Sequence, residues 1–212
     1  MSDQSFYLEK RRASPTRNRE AQKLETRRRI LEAASRVFAR EGILASTTAS
    51  VAKEAGLAHG SLFAHFGSQE GLVVAAIEDF GATVSLRLHE LAEAGAGTRG
   101  VLEAHLRGIR EREDFYARLV VEAPLLPAGA RRSLLLIQSS IAFHLSPAIE
   151  ADEEAGRIAA MPLALLFNTW LGLLHYYLAN RELFAPGASV IERRGAELLD
   201  HFMLLISKGG RR

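Results

Sequence analysis

The sequence predicts an all-α protein, with three short helices near the N-terminus and a longer helical part behind them. Apolar residues recur at steps of three and four along most of the chain, which is the period of an amphipathic helix. Glycine and proline interrupt this period at intervals, and runs of β-branched residues bounded by turn residues, which would indicate strands, are missing. With 212 residues and 48% hydrophobic composition, the chain can bury a substantial core.

Residues 1–25 lack a sustained apolar period and are predicted to form a basic arm, which can become helical before Thr26. Residues 1–29 carry nine Lys and Arg against four Asp and Glu, although the whole chain has a formal net charge of only +2. A run of this kind is either a solvated tail or a contact for a polyanion. The candidate contacts are Arg17, Arg19, Lys23, Arg27 and Arg28.

Three short helices are predicted after the arm. Thr26 is the expected N-cap of the first, and Gly42 is suited to the left-handed residue after its last turn. Paired threonines at 47 and 48 begin the second helix, which stops at Gly56, and the third runs to about residue 65. Two short helices joined by a glycine turn have the form of a helix-turn-helix, whose second helix can enter the major groove of DNA.

Longer helices are predicted in the rest of the chain. Ser68 is the expected N-cap of a fourth helix that continues to about residue 94, with Glu70 in its first turn, where a carboxylate is favourable. The acidic run at residues 152–154 is interpreted as a solvated loop. Further helices are expected over residues 98–122, 128–145, 158–181 and 188–207.

The run from Arg29 to Leu72 resembles the N-terminal domain of the TetR family of transcriptional regulators. The matching features are an Ile-Leu-x-Ala-Ala start, Phe38, Gly42, paired threonines, Ala52, Ala55-Gly56, Leu62, an aromatic residue at 63, His65-Phe66, and Ser68 with Glu70. The resemblance implies an all-α fold, with a three-helix helix-turn-helix DNA-binding domain at residues 26–71 and a helical dimerisation and ligand-binding domain at residues 72–212. It also implies a sequence-specific DNA-binding transcriptional regulator that acts as a homodimer. Regulators of this family are usually ligand-responsive repressors, although the residues alone do not distinguish a repressor from an activator.

The resemblance places the contacts with double-stranded DNA mainly on the second and third helices. Thr48 is expected to touch a phosphate at the start of the second helix. His59 and Ser61 can hydrogen-bond to base edges, and either Phe63 or Ala64 can contact a thymine methyl group. The full predicted set is Arg27, Arg28, Thr47, Thr48, Ala58, His59, Gly60, Ser61, Phe63, Ala64, His65 and Gln69.

Three positions depart from the family's common pattern, and each departure removes a polar contact with phosphate. Gln69 stands where a lysine is usual, Phe63 where a tyrosine is usual, and Ala58 where a serine often caps the recognition helix. Because a lysine–phosphate contact contributes about 0.9 to the salt slope, the change at 69 is expected to weaken binding without altering sequence choice. The basic arm is expected to compensate. Two residues have a structural alternative, since His65 can pack beside Phe66 and Phe63 can be a buried ring.

The C-terminal helices are predicted to form a homodimer interface. The 23 residues between Arg157 and Arg181 carry no charge and are long enough to span a membrane. Polar residues such as Asn168 and His175 interrupt the stretch, so we interpret it as a helix buried partly by a partner subunit, with a membrane-associated protein as the alternative. The last helix adds a second wide apolar face, which also indicates a partner copy.

A ligand pocket is predicted among the C-terminal helices. The uncharged stretch between Arg157 and Arg181 favours a small apolar or aromatic effector, and the alternative for each candidate is an ordinary core position. The candidate lining residues are Phe115, Tyr116, Leu119, Phe143, His144, Phe167, Trp170, His175 and Tyr176.

Enzymes are the main rival class. The seven histidines include no i, i+4 pair for a metal, cysteine is absent, and neither a glycine-rich phosphate loop nor an elbow around a nucleophilic serine occurs. We therefore expect a non-enzymatic protein that needs no metal or other cofactor. A cytoplasmic location without membrane association is expected.

Overall fold

The computed structural model of the chain describes residues 15–92 and 97–209, and these residues confirm the predicted all-α fold. Within the described ranges no β-strand forms, and an antiparallel bridge joins Ile158 to Ser207. A short 3-10 turn at Ala123–Leu125 follows the sixth helix. The helices are α1 (Pro15–Glu41), α2 (Thr48–Ala55), α3 (His59–Phe66), α4 (Gln69–Ala92), α5 (Gly97–Arg110), α6 (Glu113–Glu122), α7 (Ala128–Glu154), α8 (Leu163–Ala179), α9 (Arg181–Phe184) and α10 (Val190–Ile206).

The first helix begins at Pro15, so the arm is helical before Thr26, as its sequence allows, and the predicted start at Thr26 is wrong. Thr26 is therefore not an N-cap but lies inside α1, where its hydroxyl donates to the carbonyl oxygen of Gln22 at 2.9 Å. Proline suits the first position of a helix, and most of the residues between positions 15 and 26 are good helix formers, so the helix extends without an apolar face. Residues 1–14 of the predicted arm and the side chain of Arg17 lie outside the described part of the chain.

The helices α1, α2 and α3 pack together around a small core that includes Phe38 and Leu62. Ala52 is buried on α2, and its small side chain lets α2 lie close to α1. Gly56 caps α2 with a φ of +66°, and the amide of Leu57 donates to the carbonyl of Ala52 at 3.0 Å. The glycine turn predicted between the second and third helices is therefore confirmed.

The helix α4 connects these three helices to the C-terminal part and packs along α5 and α7. A Cβ atom at Gly81 would meet Cγ1 of Ile137 on α7 at 2.4 Å, so glycine is required for this close approach. In the same part of the molecule, Trp170 of α8 is buried against Phe202 of α10, with ring centroids 5.2 Å apart. The C-terminal helices thus share one continuous core with the N-terminal module.

Two predicted helix ends in the C-terminal part are wrong, and both lie near a proline: the end of α7 near Pro147 and the start of α8 near Pro162. The helix α7 continues through Pro147 to Glu154 instead of ending at residue 145, since Ile149 extends its buried face beyond the proline. The helix α8 begins after Pro162 instead of at residue 158. Proline disfavours helical geometry in the residue before it, and Ile158 is held in the bridge to Ser207.

The predicted helix over residues 98–122 is also divided, into α5 and α6, at Arg112. The Arg112 side chain donates to the carboxylate of Asp79 on α4 at 2.5 Å, which anchors this break. The acidic run at 152–154 is not simply a solvated loop, because Asp152 is buried at the end of α7. Its carboxylate accepts the amide of Thr98 at 2.9 Å and pairs with Arg157 at 2.6 Å, so it caps the start of α5.

One helix in the described residues, α7, is long and apolar enough to cross a membrane by length and composition alone. The helix α8 lies in the uncharged stretch whose length allows a membrane span. It has only 17 residues, or about 26 Å at 1.5 Å per residue. It carries the buried Trp170 and Leu174 of the core. A single helix that passes this test is weak evidence for a membrane protein, since core helices pass it as well.

Candidate nucleic-acid interface

The second helix begins with a complete capping box. Thr47 accepts the amide of Ser50 on its hydroxyl at 3.1 Å, and the Ser50 hydroxyl accepts the amide of Thr47 at 3.2 Å. The box satisfies backbone donors that a helix start otherwise leaves without partners. Thr48 is the first residue of α2 and is half-buried at this end of the helix.

The recognition helix α3 has one buried face and one exposed face. Leu62 is buried, whereas Ala58, His59, Gly60 and Ala64 are exposed, and Ser61 and His65 are half-buried. The Phe63 ring is 45% exposed, so the alternative of a buried ring is wrong. The structure therefore brings His59, Gly60, Phe63 and Ala64 to one exposed side of α3, with Ser61 and His65 at its half-buried flank. Their contacts with DNA stay a prediction.

Two of the predicted DNA contacts are bonded to each other. Thr48 Oγ1 and His59 Nε2 share a hydrogen bond of 2.8 Å, which joins the first residue of α2 to the first residue of α3. The Phe63 ring lies edge-on to the His59 ring at 5.1 Å between centroids. The imidazole is thus oriented by two neighbours, and its other nitrogen, Nδ1, is the ring atom that can meet a base edge.

The start of α3 lacks a side-chain cap. Ala58 stands at the N-cap with an extended backbone, and no side chain bonds to the first amides of α3. The start of α4 is capped as predicted, because Ser68 Oγ accepts the amide of Gly71 at 3.0 Å. The difference follows from the residue types, since alanine has no hydroxyl that could accept an amide.

Gln69 makes an internal bond that the sequence did not predict. Its side-chain amide donates to the carbonyl of Ser46 at 2.8 Å, which joins the first residue of α4 to the segment before α2. The Ser46 hydroxyl in turn donates to the carbonyl of Ile43 at 2.9 Å. Gln69 therefore supports the start of the helix-turn-helix, at a position where a lysine would supply charge.

The basic side chains of α1 lie beside the end of the recognition helix. The Arg27 guanidinium stands 4.5 Å from the ring centroid of Phe66 and donates to the carbonyl of His65 at 3.3 Å. Burial, followed by the positive charges of Lys23 and Arg27, lowers the pKa of His65. Lys23 and Arg27 therefore contribute a positive potential at the end of α3. Packing of His65 beside Phe66, with ring centroids 6.1 Å apart, agrees with the structural alternative for that residue.

Arg28, the other arginine predicted to contact DNA, is held in ion pairs on the surface of α1. Its guanidinium bonds to Glu25 at 2.6 Å and also to Glu32. Two carboxylates offset its charge, so Arg28 contributes less to the local potential than Lys23 or Arg27.

The predicted ligand-lining residues are only partly brought together. Phe143 is 76% exposed on α7 and Tyr176 is 58% exposed on α8, so neither lines the interior; each lies on the outward face of its helix. His144 is half-buried beside Phe143. The remaining candidates lie inside the C-terminal core, with His175 half-buried at its edge: Phe115, Tyr116, Leu119, Phe167, Trp170 and His175.

This interior holds two polar pairs. The Tyr116 hydroxyl and His175 Nε2 lie 2.7 Å apart, and the Trp170 indole N–H donates to His105 Nδ1 at 3.0 Å. Burial lowers the pKa of His175 to about 4, and burial together with the charge of His175 lowers that of His105 to about 3. Burial also raises the pKa of Tyr116 above its usual range. Both pairs are therefore neutral at physiological pH.

Sequence reasoning missed His105, although its position follows the apolar period of α5 with Val101, Leu102 and Ile109. A histidine at a core position of an amphipathic helix was the signal that could have found it. A separate cleft of about 720 Å³ lies between α1, the start of α6 and the segment around α9. Its lining is mostly charged, and Phe115 is the one predicted ligand residue that borders it.

No group of three or more His, Cys, Asp or Glu side chains that could hold a metal ion occurs in residues 15–92 and 97–209. The site consists instead of two short helices beside the basic helix α1. The first of the two, α2, has a hydroxyl cap, and a glycine follows the end of each.

The profile described as bacterial regulatory proteins, tetR family, matches residues 30–76. The HTH-type transcriptional regulator YerO of Bacillus subtilis is 30% identical over 104 residues, which cover 46% of this chain and 36% of YerO. The HTH-type transcriptional repressor KstR2 of Rhodococcus jostii is 33% identical over 78 residues, which cover 37% of this chain and 38% of KstR2. The chain thus spans less than two fifths of the length of these two relatives.

Solved structures match over most of the chain. FadR of Bacillus subtilis, solved in complex with stearoyl-CoA, has a TM-score of 0.71 at 16% identity, over 87% of this chain and 98% of that one. NemR of Escherichia coli, in its reduced form, has a TM-score of 0.68 at 21% identity, over the same shares. At these identities the likeness concerns the fold. The chain therefore resembles the bacterial regulatory proteins of the tetR family in residues 30–76, and it shares the fold of FadR and NemR over most of its length.

Proposed function

We propose that this chain is a sequence-specific DNA-binding regulator of transcription that binds double-stranded DNA through α2 and α3. The observation that carries the proposal is the exposed face of α3, where small and polar residues lie opposite the buried Leu62. Such a face suits the major groove, because the small residues Ala58, Gly60 and Ala64 let part of the backbone approach the bases. The larger His59 and Phe63 rings on the same face can reach base edges or a thymine methyl group. The matched profile and the relatives named as HTH-type regulators support the same function.

The proposed outcome is repression, as the name of KstR2 says of that protein. A bound regulator excludes other proteins from the DNA that it occupies, which requires no chemistry of its own. The proposed role is therefore non-enzymatic. Because the protein must reach bacterial DNA to perform it, the proposed location is the cytoplasm. The proposed DNA-binding domain comprises α1, α2 and α3. It begins before residue 26, its predicted start, because α1 continues without a break into the basic segment that precedes that residue.

Phosphate contacts in the proposed complex come from α1 as well as from α2. Lys23 and Arg27 lie near the end of α3, where their charges already act on His65. Gln69 has no charge and is bonded to Ser46, so it cannot replace them as an electrostatic contact. The basic helix therefore supplies part of the attraction that a lysine at 69 would add.

A second copy of the chain is the proposed partner of α8 and α10. On α8, Leu165, Thr169, Gly172 and Tyr176 are exposed at steps of three and four, which places them on one stripe. On α10, the neighbouring exposed positions 204 and 205 are both leucine. The exposed large apolar side chains of the two helices, Leu165, Tyr176, Leu204 and Leu205, would be covered in such an interface. A two-fold dimer would set its recognition helices on half-sites one helical turn, about 34 Å, or a multiple of it apart.

The proposed effector is a small apolar or aromatic molecule that enters the interior beside Tyr116 and His175. The two side chains offer neutral hydrogen-bonding groups within an otherwise apolar core, which is how ligand sites fix orientation. FadR, which has the same fold, was solved in complex with stearoyl-CoA, and this supports an effector with apolar character.

The experiment that tests the proposal is selection of duplexes from a random DNA pool with the purified protein. Binding of the selected duplex is then compared with that of a scrambled duplex of the same composition, by fluorescence anisotropy at several salt concentrations. We expect the selected duplex to bind at least about 10³-fold more tightly at physiological salt, as specific regulators do. Equal affinity for the two duplexes would contradict the proposal.

A matched pair of variants tests the recognition helix. His59→Ala is expected to change the preferred sequence, because it removes a group that can bond to base edges. Arg107→Gln, at an exposed position of α5, is the control and should leave the preference unchanged. An unchanged preference in His59→Ala would remove His59 from the base contacts.

A further inference from the structure

The turn between α1 and α2, residues 42–47, is held by a carboxylate from the C-terminal part of the chain. Glu122 is the last residue of α6, and its two oxygens accept the amide of Ile43 at 3.2 Å and that of Leu44 at 2.8 Å. The bonds join residues that are 79 and 78 positions apart. These amides follow the end of α1, where the backbone turns away from the helix axis.

The turn is shaped to receive this carboxylate. Gly42 has a φ of +92°, which favours glycine, and a Cβ atom there would lie 2.9 Å from Oε1 of Glu122. Any other residue would therefore crowd the carboxylate as well as strain the backbone. The amide of Gly42 donates to Phe38 at 2.9 Å and closes α1, so the next two amides are the ones left to Glu122.

The place of Glu122 on its own helix is electrostatically unfavourable. A carboxylate at the C-terminal end of a helix meets the negative end of the helix dipole. The two donated amides offset this, and charge-assisted bonds of this kind are stronger than neutral ones. The helix α6 is further fixed against α1, since Arg118 Nε donates to the carbonyl of Ala39 at 3.2 Å and the Phe115 ring stacks on Phe38.

We propose that Glu122 is a positioning residue for DNA recognition, which fixes the α1–α2 turn and thereby the start of α2. The proposal rests on the proposed DNA-binding function. The far end of α2 is held within the N-terminal module, where Arg29 donates to the carbonyl of Ala55 at 2.9 Å and Arg36 pairs with Glu54 at 2.8 Å. Glu122 holds the near end, where Thr48 bonds to His59 of the recognition helix.

Loss of the Glu122 bonds should lower the affinity for the specific DNA sequence more than the affinity for DNA in general. Base contacts require the recognition helix to be held at one angle to the groove, whereas phosphate attraction tolerates several arrangements. Loss of the Glu122 bonds frees the turn and the capped start of α2, while the basic side chains of α1 stay in place. We expect specific affinity to fall about tenfold and affinity for scrambled DNA to change less than about twofold.

The test compares Glu122→Gln and Glu122→Asp with the wild-type chain and with Glu111→Gln. Glutamine keeps the size of the side chain but replaces one acceptor by a donor, and aspartate keeps the charge but shortens the reach. Glu111 is an exposed glutamate just before α6 that pairs with Arg87 at 2.7 Å, so it controls for the loss of a charge in this region. Binding is measured with the duplex selected by the wild-type protein and with its scrambled form.

In both Glu122 variants, the ratio of specific to scrambled affinity is expected to fall. In Glu111→Gln, this ratio should equal that of the wild type. Hydrogen exchange of the Ile43 and Leu44 amides, followed by NMR, is expected to accelerate at least about tenfold in the variants and directly reports the turn. Unchanged exchange, an unchanged affinity ratio, or an equal loss of specific and scrambled binding would overturn the proposal. A wild-type chain without any preference between the duplexes would instead overturn the proposed function on which it rests.

Discussion

Lys23→Gln tests whether α1 supplies a phosphate contact beside the recognition helix. The change removes one positive charge per subunit at a position whose field already reaches His65. Each phosphate contact contributes about 0.9 to the slope of log affinity against log salt, so two contacts in the proposed dimer contribute about 1.8. Between 50 and 200 mM salt, the wild-type protein is therefore expected to lose about 12-fold more affinity than the variant.

The assay is a fluorescence anisotropy titration at four or more salt concentrations, with the selected and the scrambled duplex. The slope should fall by the same amount on both, because phosphate contacts carry no sequence information. Arg107→Gln is the matched control, since Arg107 is an exposed cation on α5 that pairs with Glu103 at 3.7 Å. A slope that Lys23→Gln leaves unchanged, or that Arg107→Gln reduces equally, would refute the argument.

The same variant has a readout that does not depend on DNA. Lys23 is one of the charges that lower the pKa of His65, after burial, so its removal should raise that pKa in the free protein. NMR titration of the His65 ring measures the change. A pKa that does not move would mean that Lys23 is not close enough to the end of α3 to meet the same phosphate.

Three further predictions concern the capping, charge and burial of named residues. Gln69→Lys should steepen the salt slope by about 0.9 per subunit on any duplex, and an unchanged slope would place residue 69 away from the DNA. Ala58→Ser supplies the cap that α3 lacks and should raise the free energy of unfolding by about 1 kcal/mol in urea denaturation, with Ala58→Val as the control without a hydroxyl. Below about pH 6.5 the unfolded chain protonates His105 and His175, whereas the folded chain resists this to about pH 3 and about pH 4. Between pH 6 and 5 the free energy of unfolding should therefore fall by up to about 1.4 kcal/mol per pH unit for each histidine, and less steeply in His175→Gln.

The parts of the fold that were predictable from sequence depend on residues within one helical turn of each other. The predicted helix ends at Thr47, Gly56 and Ser68 are correct because each cap is local. Thr47 and Ser68 accept an amide three positions away, and Gly56 ends α2 with a left-handed φ that favours glycine. The assignment of Thr26 as an N-cap is wrong, because it also used only the residues next to it. A threonine next to an apolar period has the pattern of an N-cap, and only the extension of α1 to Pro15 makes it an interior residue.

The contacts that were not predictable join residues far apart in the chain. The pairing of Tyr116 with His175 spans 59 positions and that of Trp170 with His105 spans 65. Residue type identifies a side chain that needs a polar partner, but packing decides which partner lies within reach. For the same reason, aromatic character alone placed Phe143 in a pocket, although it lies on the outward face of α7.

The candidate interface was predictable in its scaffold and less so in its energetics. Sequence comparison showed Gln69 only as the loss of a cation, whereas the structure adds a bond from its amide to the carbonyl of Ser46. Glu122 binds the amides of Ile43 and Leu44 in the same segment. Residues 42–47 are thus bonded to side chains from both α4 and α6. An already ordered turn loses less conformational entropy when DNA binds, which favours affinity without any phosphate contact.

These two effects of Gln69 can be separated by the salt dependence of one variant. Gln69→Lys adds a charge, which acts through counterion release and vanishes when affinity is extrapolated to about 1 M salt. It also removes the amide that bonds to Ser46, and this loss persists at any salt concentration. The variant should therefore bind more tightly than the wild type at low salt and more weakly at the 1 M extrapolation. Lines that meet at the 1 M extrapolation would mean that the bond to Ser46 contributes nothing to DNA binding, whereas parallel lines would mean that the added charge does not meet a phosphate.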